Sequence, residues 1–176
     1  MDPIAKQNLS FLFGRRSIRS FTPEAVSDEL VQTLLEAAMA APSAAAKDPW
    51  RFVVVREPAL LAQIAEALPN GKMIAHAAVG IVVCGDIDTA HDRQLSYLLQ
   101  DCSAAIQNLL LAAHILGLGA CWLGVHPREE RVRRLITLLA LPFTVIPVAG
   151  IAIGWPAENK EPRTRFNDDY VHRETW

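Results

Sequence analysis

Between about Gln94 and Leu116 the chain carries a helical pattern that is apolar nearly all round, and this stretch constrains the fold more than any other. A helix with so little polar surface must be covered on several sides. In a chain of 176 residues a second subunit is an economical cover, so the pattern predicts dimerisation. Gly117 and Gly119 supply the helix stop. The same stretch does not read as a membrane span, because its richest part, Ala104 to Leu118, is broken by Gln107, Asn108 and His114.

Other elements arrange themselves around this helix. Gly14 closes a first helix, and Arg15, Arg16 and Arg19 follow in what reads as an ordered loop leading to Phe21, Thr22 and Pro23. Ser27 is a suitable N-cap, Asp28 and Glu29 suit the positive end of a helix dipole, and Leu30, Leu34, Leu35 and Ala38 recur at helical spacing. A helix is expected from about Asp28 to Met39, stopping before Pro42. Phe52 to Val55 reads as a strand, and Leu60, Leu61, Ile64 and Leu68 after Pro58 as a helix. Val79 to Cys84 is a near-continuous apolar run, as expected of a central strand buried on both faces. Ala120 to Leu123 and Val145 to Ile153 complete a sheet of four or more strands, with a helix from Arg128 to Leu139 between them. No repeat, low-complexity tract or linker divides the chain, and residues 1–176 are expected to form one domain.

Charge and cysteine usage remove several function classes. With 17 basic and 19 acidic side chains the net charge is -2, so there is no overall positive field for nucleic acid or an anionic membrane surface. Met1 through Gly14 has neither the layout nor the cleavage site of a signal peptide. Cys84, Cys102 and Cys121 are scattered singly in apolar surroundings, which predicts buried, reduced thiols and a cytoplasmic protein. The five histidines lack the spacing that puts two imidazoles on one helical face, so no metal site is expected.

No nucleophile elbow, Walker-type loop or glycine-rich dinucleotide fingerprint occurs. A redox function would therefore need a tightly held cofactor to supply the reactive atoms. Arg15, Arg16, Ser17 and Arg19 could grip a phosphate through guanidinium forks and a hydroxyl. Taken alone, such a cluster is usually a solvated turn. Arg163 and Arg165 form a second basic pair in the polar tail. From Ala41 to Trp50, small residues between two prolines would let a flat ligand lie against backbone, or would simply connect a helix to a strand. Lys72, just ahead of the buried strand, could deliver a cation or be merely exposed.

Together these residues resemble the nitroreductase family. Arg15-Arg16-Ser17-Ile18-Arg19-Ser20-Phe21 is similar to its opening signature, and Ala41-Pro42-Ser43 with Pro49-Trp50-Arg51-Phe52-Val53-Val54-Val55 to its second motif. Lys72-Met73-Ile74 before Ile81-Val82-Val83-Cys84-Gly85-Asp86 stands where the family has a flavin-facing lysine. Asp101 to Ala105 and Asn108 to His114 resemble its long interface helix, followed by Gly117 to Gly124. Arg163, Arg165, Val171-His172 and Trp176 resemble the tail of its short members.

The resemblance implies an α+β fold, a central, mostly antiparallel sheet flanked by helices, in an intertwined homodimer with two FMN sites at the interface. It implies that Arg15, Arg16, Ser17 and Arg19, with Arg163 and Arg165, hold the ribityl phosphate. Pro42, Ser43, Ala44 and Ala46 would come from the other subunit to the isoalloxazine ring. Lys72 would stand near N1 and O2, where negative charge develops on reduction, and Trp122, Leu123 and Gly124 near N5 or the opposite face. Hydride enters and leaves at N5 without a protein acid or nucleophile, so the resemblance implies no catalytic side chain.

Three positions depart from the family pattern: Ala46 and Asp48 stand where amides are common, and Pro69, next to Asn70, stands where many members carry an asparagine. The implied activity is electron transfer from NADH or NADPH through FMN to a nitroaromatic, quinone or similar small acceptor, by a ping-pong mechanism. Two other readings are an FMN enzyme for a dedicated metabolite without nicotinamide, and a flavin-binding sensor without turnover. Tyr97, Leu98 and His126 are candidate acceptor-wall residues that could equally serve packing alone.

Overall fold

The computed structural model describes residues 2–176 of the chain. Helix α1 (Pro3–Gly14) is capped by Asp2, whose carboxylate accepts the Ile4 N–H at 3.2 Å, and Pro3 occupies a first-turn position that needs no amide hydrogen. Helix α2 (Asp28–Met39) begins where the Ser27 hydroxyl accepts the Leu30 N–H at 3.2 Å, over the range expected from the sequence. There follow β1 (Trp50–Val55), α3 (Pro58–Ala67), β2 (Val79–Asp86), α4 (Leu95–Ile115), β3 (Gly119–Gly124), α5 (Glu129–Leu138) and β4 (Val145–Gly154). Among the described residues no helix is long and apolar enough to cross a membrane.

The four strands form one sheet in the order β1-β2-β4-β3, antiparallel at every pairing, which makes the chain α+β. β2 lies inside the sheet, as its apolar run requires, and alternates its side chains between two cores. Val79, Ile81 and Val83 join the core beneath α2 and α4, whereas Val82 and Cys84 join the core beneath α3 and α5. β4 divides in the same way, with Ala149, Ile151 and Ile153 on the first side and Ala152 on the second. β1 begins at Trp50 rather than Phe52, because pairing with β2 extends to Trp50 opposite Gly85 and brings Trp50 to 7% exposure.

Helix α4 buries Leu98, Cys102, Ala105, Ile106, Leu109 and Ala113 at the three- and four-residue spacing of a single helical stripe. Truncating one of the large side chains in such a stripe typically costs about 2–5 kcal/mol. Leu98, a candidate wall residue from the sequence, instead packs into the space above Gly85, where an added Cβ would collide with it. It therefore fixes helix to sheet and faces no ligand. The helix ends as its glycine predicts: Gly117 takes a φ of 77°, and the Leu118 N–H returns to the Ala113 carbonyl at 2.8 Å. A short 3-10 segment, Lys72–His76, precedes β2 and was too brief to show a period in the sequence.

Cys102 of α4 lies against β2, its thiol donating to the Cys84 carbonyl at 3.4 Å, while the Cys84 side chain enters the opposite core. Burial pushes both thiols up to about 12, and burial also raises Cys121. At pH 8 all three are protonated and inaccessible, so a thiol-specific chromogenic reagent should leave the native protein unmodified while the urea-unfolded chain releases three equivalents. Fast release from the native protein would contradict this packing.

Candidate functional site

The loop after α1 is not free in solvent. Ile18 donates its N–H to the Ala120 carbonyl of β3 at 3.0 Å, and Ser17 and Ala120 form a parallel bridge. Thr22 N–H reaches the Trp155 carbonyl at 2.8 Å, and Ala157 N–H returns to the Ser20 carbonyl at 2.9 Å. The basic loop is thus stitched to the sheet edge on one side and to the start of the tail on the other. This brings together residues almost 150 positions apart: Arg15, Arg16, Ser17, Arg19, Arg163 and Arg165 line a single cavity of about 320 Å³. Every residue assigned from sequence to the anion site is in it.

The electrostatics of that cavity are unbalanced. Arg16 donates through Nη2 to the Arg163 carbonyl at 2.6 Å, while its Nε is buried without a partner. Its pKa is held below the usual guanidinium value by burial and then by the neighbouring Arg163, Arg15 and Arg165 charges. A guanidinium does not deprotonate at physiological pH, so the favourable way to relieve such a cluster is an anion that accepts several N–H donors at once. A phosphate monoester fits that requirement. Lys160 lines the same cavity and was not singled out in the sequence; its ammonium bonds the Ser17 carbonyl at 2.7 Å and pairs with Glu158 at 2.9 Å. Glu158 also accepts the Arg19 N–H, and that bond followed by the Lys160 contact holds its carboxyl below the usual range. Lys160 in a polar tail had no local periodicity or motif to mark it.

Arg19 lines a second cavity as well, of about 200 Å³, together with Gly71, Trp122, Leu123, Gly124 and Arg131. The three β3 residues that the resemblance assigns to the ring therefore stand beside the arginine-lined cavity. A Cβ added at Gly124 would meet nothing within 4 Å, so the space above this strand end is open for a flat group. Asn70, adjacent to the departure at Pro69, also lines this cavity. Lys72 follows Gly71 directly but its side chain is exposed and lines neither cavity.

Pro42, Ser43, Ala44 and Ala46 are not brought to these cavities by their own chain. Ala44 N–H bonds Oδ1 of Asp101, near the start of α4, at 2.9 Å, whereas the arginine loop lies against His114 near the end of that helix. Thirteen residues of α-helix separate these two points by about 20 Å. The 43–48 loop is nevertheless tightly specified. Ser43 and Asp48 exchange hydrogen bonds, so Asp48 is used to close the loop on itself. Ala45, Ala46 and Asp48 hold φ near 50°, a left-handed conformation that is strained for alanine. Asp101 is 5% exposed and its Oδ2 is buried without a partner. In the sequence it stood only as the first residue of a helix motif, and a lone aspartate within an apolar helix has no pattern that marks it as an anchor for a distant loop. Tyr97, one turn before Asp101, is partly exposed and packs on His91 with ring centroids 5.1 Å apart. His126 is half-buried just after β3.

Comparison with known proteins places this arrangement in a family. Residues 12–155 match the model of the nitroreductase family. The chain is 43% identical over 171 residues to an Archaeoglobus fulgidus protein provisionally named NADH dehydrogenase/NAD(P)H nitroreductase, covering 96% of this chain and 98% of that protein. The crystal structure of a protein with the same provisional name from Parabacteroides distasonis superposes with a TM-score of 0.91 at 36% identity, covering 97% and 99% of the two chains. A provisionally named nitroreductase from Desulfovibrio desulfuricans, solved in complex with FMN, matches at a TM-score of 0.83 and 36% identity, over 100% and 99% of the chains. The chain belongs to the nitroreductase family.

The unbalanced arginine cluster has a direct consequence for stability. An anion that binds only the folded state stabilises by RT ln(1 + [L]/Kd), about 1.4 kcal/mol at ten times Kd. Inorganic phosphate at millimolar concentration should raise Tm, and Arg16→Met should remove most of that rise with little loss of stability in phosphate-free buffer. An equal rise in the variant would place anion binding elsewhere.

Proposed function

We propose that the protein, with residues 1–176 acting as one FMN-binding domain, is an FMN-dependent oxidoreductase. It takes electrons from NADH or NADPH and passes them to a small organic acceptor such as a nitroaromatic or a quinone. The observation that carries this reading is that Arg19 joins an anion cavity with a surplus of guanidinium charge to an open cavity over Trp122, Leu123 and Gly124. A phosphate linked to a flat heterocycle matches both parts. Membership of the nitroreductase family and the FMN complex of the Desulfovibrio relative support it, as does the NAD(P)H nitroreductase name of the Archaeoglobus relative.

FMN would supply the chemistry, accepting two electrons and a proton at N5 from the nicotinamide and later yielding them to the acceptor. The chain's own residues bind and orient. Arg15, Arg16, Ser17, Arg19, Arg163 and Arg165 hold the phosphate, and Trp122, Leu123 and Gly124 form the wall beside the ring. Of the described residues that line the cavity over that wall, none is a histidine or a carboxylate. Donor and acceptor would use the same open face in turn, which gives ping-pong kinetics.

The site is completed by a second copy of the chain. The 42–46 loop is held about 20 Å along α4 from the arginine loop of its own chain, and a partner with α4 reversed brings its loop to the cavities. Uncovered apolar side chains point the same way. Phe11, Leu12 and Phe13 of α1 and Phe166, Tyr170 and Trp176 of the tail are all exposed in the single chain. A two-fold dimer would cover them.

Purified protein supplied with FMN and cleared of excess should keep a flavin absorbance spectrum that bleaches on anaerobic addition of NADH or NADPH. Arg15→Ala and Arg19→Ala should each weaken FMN binding on the order of tenfold to a hundredfold, as expected for a charge-assisted hydrogen bond. Absence of bound flavin overturns the proposal, and bound flavin that fails to bleach removes the nicotinamide step. Dilution followed by light scattering and flavin fluorescence should show FMN leaving as subunits separate; a monomer that keeps FMN would refute the shared site.

A further inference from the structure

Arg19 and Arg131 are the two charged residues that line the cavity over Trp122, Leu123 and Gly124. Arg19 belongs to the basic loop, but Arg131 comes from α5, an element with no part in the site as read from sequence. Its Nη1 donates to the Gly124 carbonyl at 2.7 Å, tying the guanidinium to the strand end that forms the cavity wall. Among the described residues no carboxylate lies within salt-bridge distance of it. The acidic residues of its own helix, Glu129 and Glu130, are exposed in the first turn. Arg131 is thus a half-buried, uncompensated cation held beside the wall assigned to the flavin ring.

Lys72, the cation expected there from the family resemblance, is exposed and does not line the cavity. A charge acts more strongly on its neighbours the less water screens it, so between the two cations the half-buried one at the wall exerts the larger effect. Two electrons and one proton delivered by the nicotinamide leave bound FMN one charge more negative than before, with the oxidised nicotinamide carrying the balancing positive charge away.

We infer that Arg131 tunes the flavin, its guanidinium stabilising the reduced, negatively charged cofactor relative to the oxidised one and so raising its reduction potential. This role rests on the FMN reading above. It makes the start of α5 part of the flavin site and gives the Arg131–Gly124 contact a function in addition to its packing.

The test uses the FMN-loaded protein and three variants, with midpoint potentials measured by equilibration against reference dyes and the affinity for oxidised FMN by fluorescence titration. Arg131→Gln keeps an N–H for the Gly124 carbonyl but loses the charge; Arg131→Lys keeps the charge; Lys72→Gln reports the alternative cation. For Arg131→Gln the preference for reduced over oxidised FMN should fall about tenfold, equivalent to a midpoint about 30 mV lower for a two-electron couple. Affinity for oxidised FMN should be nearly retained, Arg131→Lys should recover the potential, and Lys72→Gln should shift it less. An unchanged potential in Arg131→Gln, or a larger drop in Lys72→Gln, overturns the inference. So does an Arg131→Gln protein that no longer holds oxidised FMN, because Arg131 would then serve retention or folding. Wild-type protein that takes up no FMN would instead bring down the functional reading itself, and this inference with it.

Discussion

Burial of α4 against the sheet is the constraint on which the rest of the molecule depends. Leu98 fills the space above Gly85, and Cys102, Ala105, Ile106, Leu109 and Ala113 continue the contact along the inner strands. α2 closes over the same core, with Asn108 of α4 bonding the Ala37 carbonyl at 3.2 Å. Because the helix runs unbroken for 21 residues through this core, whatever is tied to its two ends is held apart. Asp101 ties the 43–48 loop near the start, and the arginine loop lies against His114 near the end. A rigid spacer of about 20 Å thus separates two groups of residues that the family pattern assigns to one ligand. That separation is the physical argument behind the proposal of a site shared between subunits.

The second organising force is repulsion. Arg15, Arg16, Arg163 and Arg165 converge because backbone hydrogen bonds from Ile18, Thr22 and Ala157 pin the loop and the tail together. The ordered backbone makes the charge cluster possible, since mobile arginines would spread apart. Glu158 and Lys160 sit at the seam and brace it, the carboxylate accepting from Arg19 and the ammonium bonding the Ser17 carbonyl. A donor cluster of this kind is preorganised: the ordering of its donors is met by folding, and less would be left to be lost on binding the phosphate proposed for it. The strained left-handed residues of the 43–48 loop have the same character, with Asp101, Ser43 and Asp48 holding a conformation that Ala45 and Ala46 do not prefer.

Much of the secondary structure could be read from local chemistry. Ser27 and its following acids marked the start of α2, Gly117 the end of α4, and the apolar run from Val79 the central strand. These signals act over one or two turns and survive without tertiary context. The basic loop could be named as a candidate phosphate grip because guanidinium groups suit phosphate wherever they are placed, but only the family resemblance joined the tail arginines to it. Leu98 shows the limit of the same reasoning: a leucine on a helix can line a ligand or pack a sheet, and only the absence of a side chain at Gly85 decides between them.

What the sequence by itself determined was the set of elements, the apolar faces they must bury and the residue types able to hold a phosphate. The tertiary structure decided which of these meet. It set the strand order β1-β2-β4-β3, joined a loop to a tail almost 150 residues away, buried Asp101 and brought Lys160 and Arg131 to the two cavities. The reason is that capping, periodicity and charge are properties of a short segment. A cavity depends on which distant segments pack side by side, and no local pattern marked Lys160, Asp101 or Arg131 in advance.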